Sequence, residues 1–493
     1  GRILIDESHS DWEWSTQPFD TTWYGGQSTY NYYCLSRWLG YHYDVKAHEK
    51  GALDAAALAG CDVLVIKTPT RGFTPEEQAA IAAFVQAGGG LWLIGDHTNV
   101  FGTSHHLNPL AKRFGLAFRY DSTYDLEKGT LTFWKPPRLF AHPTVAAIPH
   151  FLFATSCTLV APWDILESGA AMLGYRLRSR NLAYSERAFF ENKPLQDYGF
   201  GLYLQAATAR YGQGRVLAFA DSTCFSNFYM HLPGKPELAL GSVEWLNHRS
   251  APALPRYGLL ALMLLLGPAA YVLLRRNAPL AAPAVCLLGV TLSCHFLAQP
   301  GGGLGQTPRA IRPYETMAWL EPHSAAVLPQ SELTDTYADN FHTFYVWFQR
   351  KALVPRVCPD LLTALAKNDM AVLALPDMPL AGEEIAAVRS FLERGGRLVV
   401  LGDASNSRRA QASNVLLTSF GMRFMPDRIG EGTPAWSGNN PGNRLRGMAI
   451  EGGAPLLTLS DGTVSCAVQT VGKGRLYAVG FGQMFTNSFM GGT

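Results

Sequence analysis

A gapless internal repeat constrains this 493-residue chain more than any other feature of its sequence. Residues 58–96 align with residues 365–403 at a constant offset of 307, with 15 identities in 39 positions. The similarity continues at 108–115 with 414–421, and at 211–230 with 471–490, where seven of twenty residues are identical at an offset of 260. Because self-similarity of this length marks a duplicated structural unit, the sequence predicts one fold used twice.

Each copy has the pattern of an α/β domain. Residues 62–66 are mostly apolar and β-branched, which is typical of a strand buried on both faces. Thr74, Pro75 and two glutamates predict a helix start, and Gly88–Gly90 predict its end before a second strand at 91–94. A strand, a helix and a strand in tight succession form a right-handed parallel crossover. The expected fold is therefore a doubly wound, flavodoxin-like parallel sheet in each copy.

Two uncharged segments separate the copies, at 257–274 and 278–299. Each has about the length that a helix needs to cross a bilayer, and only 16% of the chain is charged. The sequence thus predicts a transmembrane hairpin at 257–299 between domains at 1–250 and 313–493, with copy two either complete or truncated. The alternative is a buried helical hairpin of a soluble core.

The short connection of this hairpin would place both domains on one side of a membrane. Arg275 and Arg276 lie in that connection, and the excess of positive charge on the cytoplasmic side would put the domains outside the cytoplasm. Arginines that flank the hairpin on both sides weaken this bias. We therefore expect a membrane protein with extracytoplasmic domains.

Charge and cysteine patterns exclude several functions. With 41 basic and 39 acidic residues and no dense basic run, nucleic acid is not an expected partner. The eight cysteines are scattered singly, which indicates neither a zinc ribbon nor a disulfide framework. The glycine-rich stretch at 301–305 lacks the lysine of a phosphate-binding loop. No cofactor is expected.

Polar residues follow the predicted strands of copy one, and the carboxyl ends of parallel strands meet at one edge of a sheet. These candidate ligand-binding residues are Asp6, Glu7, His9, Asp96, His97 and Asp221, with His105 and His106 farther along. Copy two keeps Asp403 but has Ala404 and Phe481 at the places of His97 and Asp221. Any site is therefore expected in copy one.

Two interpretations of this group remain open. Aspartates routinely cap helices and hold loops, so the group can be structural. Alternatively, carboxylates and imidazoles can bind sugar hydroxyls or a divalent metal. No metal is assigned, but the residues that would hold one are Asp6, His9, Asp96 and His97.

Aromatic residues are concentrated between Trp12 and Tyr43, where they make up eleven of 32 positions. We expect about half of them to pack a helix against the sheet. The predicted loop members Trp12, Trp14, Trp23 and Tyr24 can instead form an exposed platform that stacks on a sugar ring, receives a partner or lies at the membrane interface. Trp12 and Trp23 join the candidate ligand-binding residues on this basis.

Three motifs carry a resemblance to a known family: ILIDESH at 3–9, GGGLWLIGD at 88–96, and GQGRVLAFADS at 212–222 followed by Asn227. The chain resembles the class I glutamine amidotransferase-like fold, in the non-catalytic branch of bacterial DUF4350-type membrane proteins. That branch includes the auxiliary component of gliding-motility ABC transporters and is akin to the intraflagellar-transport domain. The likeness covers both halves outside the uncharged segments.

Glutamine amidotransferases need a cysteine at a sharp turn after a strand. The corresponding positions here are Gly95-Asp96-His97-Thr98 and Gly402-Asp403-Ala404-Ser405, without cysteine. The resemblance therefore implies a protein without amidotransferase activity.

The leading hypothesis is a membrane-anchored, non-catalytic binding or accessory protein of the bacterial inner membrane. ABC-type ATPase or permease subunits are partners that the resemblance alone implies. The competing hypothesis is a metal-dependent hydrolase that acts on a sugar- or amide-containing substrate. It would use five residues of copy one, namely Asp6, His9, Asp96, His97 and Asp221.

Overall fold

The computed structural model describes residues 1–18, 30–124, 132–134, 142–145, 148, 151–161, 168–178, 198–249, 268, 272, 275, 308–324, 328, 340–434 and 444–490. The chain forms two compact units. Unit 1 comprises Gly1–Thr16, Leu35–Cys224 and Gly234–Ile311, and unit 2 comprises Gln17–Cys34, Phe225–Pro233 and Arg312–Thr493. The predicted domain boundaries stay predictions.

Unit 1 is built on a mixed sheet. The strands of unit 1 are β1 (Arg2–Asp6), β2 (Asp44–His48), β3 (Val63–Lys67), β4 (Gly90–Ile94), β5 (Ala117–Phe118), β6 (Asp121–Tyr124), β7 (Thr132–Trp134), β8 (Phe151–Phe153), β9 (Leu159–Val160), β10 (Ser168–Arg178), β11 (Tyr198–Tyr211) and β12 (Gly214–Phe219). All of them belong to this sheet except β7 and β8, which form a separate antiparallel pair. The strand order is β2-β1-β3-β4-β12-β11-β10-β6, with β5 and β9 attached beside it. The first five strands are parallel and the last three are antiparallel. The prediction of a wholly parallel sheet was wrong in this respect.

Four described helices accompany these strands in sequence: α1 (Tyr33–Gly40), α2 (Pro75–Gln86), α3 (Thr103–Ala111) and α4 (Lys235–Leu246). The sequence around α2 shows why it starts where it does. The Thr74 hydroxyl accepts a hydrogen bond from the Glu77 amide, and the Glu77 carboxylate accepts one from the Thr74 amide. This capping box satisfies two of the free amides at the helix start. Ile81 and Val85 of α2 then pack in the core against the sheet.

Unit 2 repeats this plan. Its strands are β13 (Glu315–Leu320), β14 (Leu353–Cys358), β15 (Met370–Ala374), β16 (Arg397–Leu401), β17 (Arg423–Gly432), β18 (Leu445–Glu451), β19 (Ala454–Thr458), β20 (Val464–Val471) and β21 (Gly474–Val479). The helices that follow β13 in sequence are α5 (His342–Trp347), α6 (Leu361–Lys367), α7 (Gly382–Glu393), α8 (Ser407–Leu417) and α9 (Asn487–Met490). The main sheet has the order β14-β13-β15-β16-β21-β20-β19, and β17 and β18 form a separate ribbon.

The two main sheets have the same order over seven strands, with β1, β3, β4 and β12 corresponding to β13, β15, β16 and β21. The bounds of β3, α2 and β4 map onto those of β15, α7 and β16 at the offset of 307 found in the sequence. Those of β12 map onto β21 at the offset of 260. Positions in one unit can therefore be compared with positions in the other residue by residue.

The predicted transmembrane hairpin is corrected by the structure. Among the described residues, no helix combines the length and the apolar character that a membrane span requires. Of the predicted segment 257–299, only Pro268, Val272 and Arg275 are described, all three helical, and the remainder lies outside the described residues. The prediction used the length of the two segments and their lack of charge, whereas a span also requires that such a segment form one uninterrupted helix of about 20 residues. The predictions of a membrane-anchored fold and of a membrane localisation were therefore wrong as well. The predicted extracytoplasmic orientation of the domains depended on the same hairpin and was wrong with it.

Candidate functional site

Buried polar side chains collect at the carboxyl ends of the parallel strands of unit 1. This strand-end cluster comprises Glu7, Glu13, Lys67, Asp96, Asp221 and Ser222. Its members are at most 6% exposed. Burying charged groups costs free energy unless they are paired or neutralised, so their partners decide what the cluster can do.

An ion pair fixes the loop after β1. The Lys67 ammonium at the end of β3 lies 3.0 Å from Glu7 Oε2, and both side chains are fully buried. Lys67 also donates to the Trp12 carbonyl at 3.0 Å, while Glu7 Oε1 accepts hydrogen bonds from the amide and hydroxyl of Ser15. Residues 7–15 are thereby held against the sheet.

A serine joins two carboxyl groups. Ser222 Oγ lies 2.7 Å from Glu13 Oε1 and 2.5 Å from Asp96 Oδ2. One hydroxyl proton serves only one acceptor, so the second contact requires a proton on a carboxyl group. Burial raises the pKa of Glu13 and of Asp96 to about 7, which keeps such a proton in place near neutral pH.

Asp221 provides an acceptor that is not used. Its Oδ2 accepts from the Ala154 amide at 2.6 Å and from the Cys224 thiol at 3.2 Å. Its Oδ1 is buried and has no hydrogen-bond partner within the described part of the chain. Burial, with the charge of Asp96 adding to it, raises the pKa of Asp221 to about 7. Buried oxygens without protein partners are uncommon and indicate strain, an ordered water or ion, or a ligand.

Asp6 and His9 belong to a different group of contacts. His9 Nδ1 lies 2.9 Å from Asp6 Oδ2, and His9 Nε2 lies 3.3 Å from Glu77 Oε1 at the start of α2. Burial lowers the pKa of His9, but the two carboxylates raise it more, so the net direction is upward. The ring also stacks on Phe73 at 4.2 Å.

The repeat explains why this histidine is present. The register of β1 with β3 and of β13 with β15 aligns His9 with His323. His323 Nε2 lies 2.7 Å from Glu384 Oε1, which corresponds to Glu77. Copy two keeps this pair although Leu320 stands at the place of Asp6, so the histidine ties a loop to a helix start in both copies. The contact shared by the two copies favours a structural role, and ligand binding by His9 stays a prediction.

The other predicted histidines show no sign of an active base. Burial lowers the pKa of His97 to about 4, and its Nδ1 lies 2.7 Å from the Thr98 hydroxyl. His106 has a pKa lowered by burial and by neighbouring His105, with which it forms an edge-on ring contact. Within the described residues, no three His, Cys, Asp or Glu side chains are arranged to hold a metal ion. The contacts of Asp6 with His9 and those of Asp96 lie in separate groups.

The predicted aromatic platform is only partly described. Trp12 is half-buried and packs against Phe101, with 5.0 Å between ring centroids. Trp14 is also half-buried. Trp23 and Tyr24 lie outside the described residues.

Backbone strain is concentrated around the cluster. Glu13, Thr68, Thr98, Asn99 and Phe101 have φ between 34° and 59°, a left-handed region that side chains with a Cβ rarely adopt. Strain of this kind costs about 1–3 kcal/mol per residue and persists where the surroundings enforce it, often at functional sites.

Copy two lacks the cluster on the same framework. Ala374 and Leu375 stand at the places of Lys67 and Thr68, and Phe481 and Gly482 at those of Asp221 and Ser222. Asp403, the counterpart of Asp96, instead forms an ion pair with Arg409 at 2.7 Å. At the carboxyl ends of the shared strands, the two copies therefore differ in chemistry while keeping the same strand order.

Of the cluster residues, the sequence predicted Glu7, Asp96 and Asp221 but not Glu13, Lys67 and Ser222. Lys67 carried a usable signal, because a lysine that ends a buried apolar strand needs a carboxylate partner. Glu13 carried none, since it lies in a loop that no periodicity describes.

No protein-family model matches the chain, and no curated protein matches it either. The resemblance to DUF4350-type proteins and the ABC-type partners stay predictions. Neither comparison supports a DUF4350 protein, an amidotransferase-like protein or an ABC accessory protein, and the prediction of a transmembrane protein was wrong.

Similar solved structures exist at low identity. The chain is similar to the mmIFT52 N-terminal domain (13% identity, TM-score 0.33, 50% of this chain and 97% of that one). It is similar to a cytoplasmic protein from Salmonella typhimurium (17%, 0.30, 50% and 99%) and to a ThuA-like protein from Parabacteroides merdae (13%, 0.30, 51% and 91%). At these values the similarities carry no conclusion about function.

Proposed function

We propose that this chain is a non-catalytic binding protein whose unit 1 takes a small, uncharged polar ligand, such as a sugar or an amide, at the strand-end cluster. The observation that carries the proposal is the contrast between the copies. Copy two keeps one of the buried carboxylates, Asp403, but pairs it with Arg409, and it has Ala374, Phe481 and Gly482 at the places of Lys67, Asp221 and Ser222. Because copy two folds without counterparts of Lys67, Asp221 and Ser222, these three residues are not a general requirement of the framework.

The chemistry of the cluster favours hydroxyl or amide ligands. The unpartnered oxygen of Asp221 can accept a hydrogen bond from a ligand donor. Glu13, Asp96 and Ser222 form a chain that can donate or accept according to where its proton lies. A charged ligand is disfavoured, because the surroundings already raise the pKa of three acids by burial.

A non-catalytic role is supported by the state of the nucleophiles. Burial raises the pKa of the Cys157 and Cys224 thiols well above their usual value, which suppresses the reactive thiolate. The turn at which an amidotransferase has its cysteine reads Gly95-Asp96-His97-Thr98 here, and the Asp96 carboxyl group in it contacts Ser222 Oγ and the His97 amide.

The experiment is a thermal-unfolding screen of the full chain against monosaccharides, N-acetylated sugars and primary carboxamides. At least one compound is expected to raise the melting temperature of the wild type. The same compound should have no effect on Asp221→Asn, which keeps the shape but exchanges an acceptor for a donor. The matched control is Asp403→Asn in copy two, which should respond like the wild type. A response that Asp221→Asn retains in full, or no response to any compound, would contradict the proposal.

A further inference from the structure

A basic cleft lies in unit 2 at the amino-terminal ends of its parallel strands, the end opposite to the one that corresponds to the strand-end cluster. Its volume is about 600 Å³, within the range of small-molecule sites. Five cationic side chains line it: Lys367, Arg394, Arg397, Lys473 and Arg475.

The acids of the cleft do not balance these cations. Glu315 is bound to Arg397 at 2.6 Å, and Asp369 Oδ2 accepts from the amide and the hydroxyl of Thr316. With five cations and two acids, the lining carries a charge of +3.

Three of the cations remain available. Arg394 is engaged, because it donates to the Leu365 carbonyl and its guanidinium lies 5.3 Å from the Phe391 ring. Lys367, Lys473 and Arg475 are exposed, and among the described residues none has a carboxylate within ion-pair distance.

In copy one, the amino-terminal ends of the corresponding strands have different side chains and contacts. Arg215, the counterpart of Arg475, is only 6% exposed and donates to the carbonyls of Trp245 and Arg249 at and beyond the end of α4. A Cβ on Gly90, the counterpart of Arg397, would lie 2.5 Å from the Leu246 carbonyl oxygen. In copy one this edge is therefore filled by protein oxygens, whereas Arg475 has no such acceptor within the described part of unit 2.

We propose that the basic cleft of unit 2 binds a ligand with adjacent phosphate groups. A guanidinium flanked by lysines suits phosphate oxygens, because arginine binds them in a planar fork and lysine acts as a mobile point charge. The excess positive charge is matched by the two to three negative charges of such a group. This site shares no residue with the one proposed for unit 1, and it is proposed to bind an anion instead of an uncharged ligand.

The test is calorimetric titration of the full chain with inorganic pyrophosphate, orthophosphate and adenosine diphosphate. Pyrophosphate should bind more tightly than orthophosphate. Similar affinities for pyrophosphate and adenosine diphosphate would identify the phosphates as the recognised part, and binding of adenosine diphosphate alone would overturn that assignment.

The double variant Lys473→Gln with Arg475→Gln should bind pyrophosphate on the order of tenfold or more weakly than the wild type, because two charge-assisted contacts disappear.

A matched control separates this site from general attraction by charge. Arg423→Gln with Arg428→Gln removes the same charge from exposed positions of β17 outside the cleft. This control should bind pyrophosphate like the wild type, and the single variant Lys367→Gln should weaken binding. Equal losses in the control and the cleft variant, or no binding of pyrophosphate to the wild type, would overturn the proposal. Failure at this cleft leaves the proposal for unit 1 untouched, since the probes and residues differ.

Discussion

At the scale of single residues, the contact of one serine with two acids is the feature with the clearest chemical consequence. Ser222 Oγ contacts both Glu13 and Asp96, so one of these acids holds a proton. Carboxyl groups kept neutral in this way are uncommon outside functional sites. The proton also lets the cluster match either a donor or an acceptor of a ligand.

We predict a carboxylic-acid carbonyl band in the infrared spectrum at pH 6 that weakens as the pH rises through about 7. The double variant Glu13→Gln with Asp96→Asn should remove part of this band, and Asp221 should account for another part. The control Asp403→Asn should leave the band unchanged. An unchanged band in the double variant would show that both acids are ionised.

The same groups set the pH dependence of stability. A folded-state pKa raised to about 7, from usual values of 4.5 for Glu13 and 3.8 for Asp96, means that the folded state binds more protons than the unfolded state between these values. The free energy of unfolding therefore falls as pH rises across this interval, by up to about 1.4 kcal/mol per pH unit for each group. Above the folded pKa the contribution is lost.

At the scale of secondary-structure elements, the two copies of the strand-helix-strand unit differ at one cap. Thr74 and Ala381 occupy the same position before α2 and α7, with φ of −66° and −71° and ψ of 160° and 162°. Ala381 has no side-chain oxygen, so only the Glu384 half of the capping box is formed, with the Ala381 amide donating to Glu384 Oε2 at 2.7 Å. The amide of Glu384 lacks the hydroxyl partner that the Glu77 amide has.

We predict that Ala381→Thr stabilises unit 2 by about 1 kcal/mol, because the added hydroxyl completes the box. The Glu384 amide should exchange its hydrogen more slowly in this variant. Conversely, Thr74→Ala should destabilise unit 1 by a similar amount and speed exchange at Glu77. Unchanged exchange at Glu384 would mean that the two helix starts are not equivalent.

The sequence predicted the bounds of single helices and strands better than it predicted the candidate site. The bounds of α2 were signalled by its cap, its proline and the glycines that follow, and all of these act locally. The two copies also share a hydrogen-bonding arrangement that is visible only in the structure. The Asn108 and Asn414 side chains each bind both backbone polar groups of a phenylalanine ten residues later, Phe118 and Phe424, at 2.7–2.9 Å. The sequence repeat marked both asparagines, but the partners depend on chain folding that no spacing rule supplies.

At the scale of the whole molecule, the repeat is what makes the functional difference visible. Two sheets share seven strands in one order, yet only the first carries the strand-end cluster. Asp96 and Asp221 could be predicted because they directly follow strands. Glu13 could not, because its place in the cluster is set by a strained loop held by the Glu7–Lys67 ion pair. The prediction of a transmembrane hairpin was wrong because segment length and low charge were taken as sufficient for a membrane span.

Hydrogen exchange mapped over the full chain tests the central claim most directly, using whichever sugar or amide raises the melting temperature. We predict that this compound slows exchange at the copy-one strand ends, at the amides of Ser15, His97 and Ala154, which bind the cluster carboxylates. Exchange at Ser405, whose amide binds Asp403, should not change. Slowing at Ser405 alone, or slowing spread equally over both copies, would contradict the assignment of the ligand site to copy one.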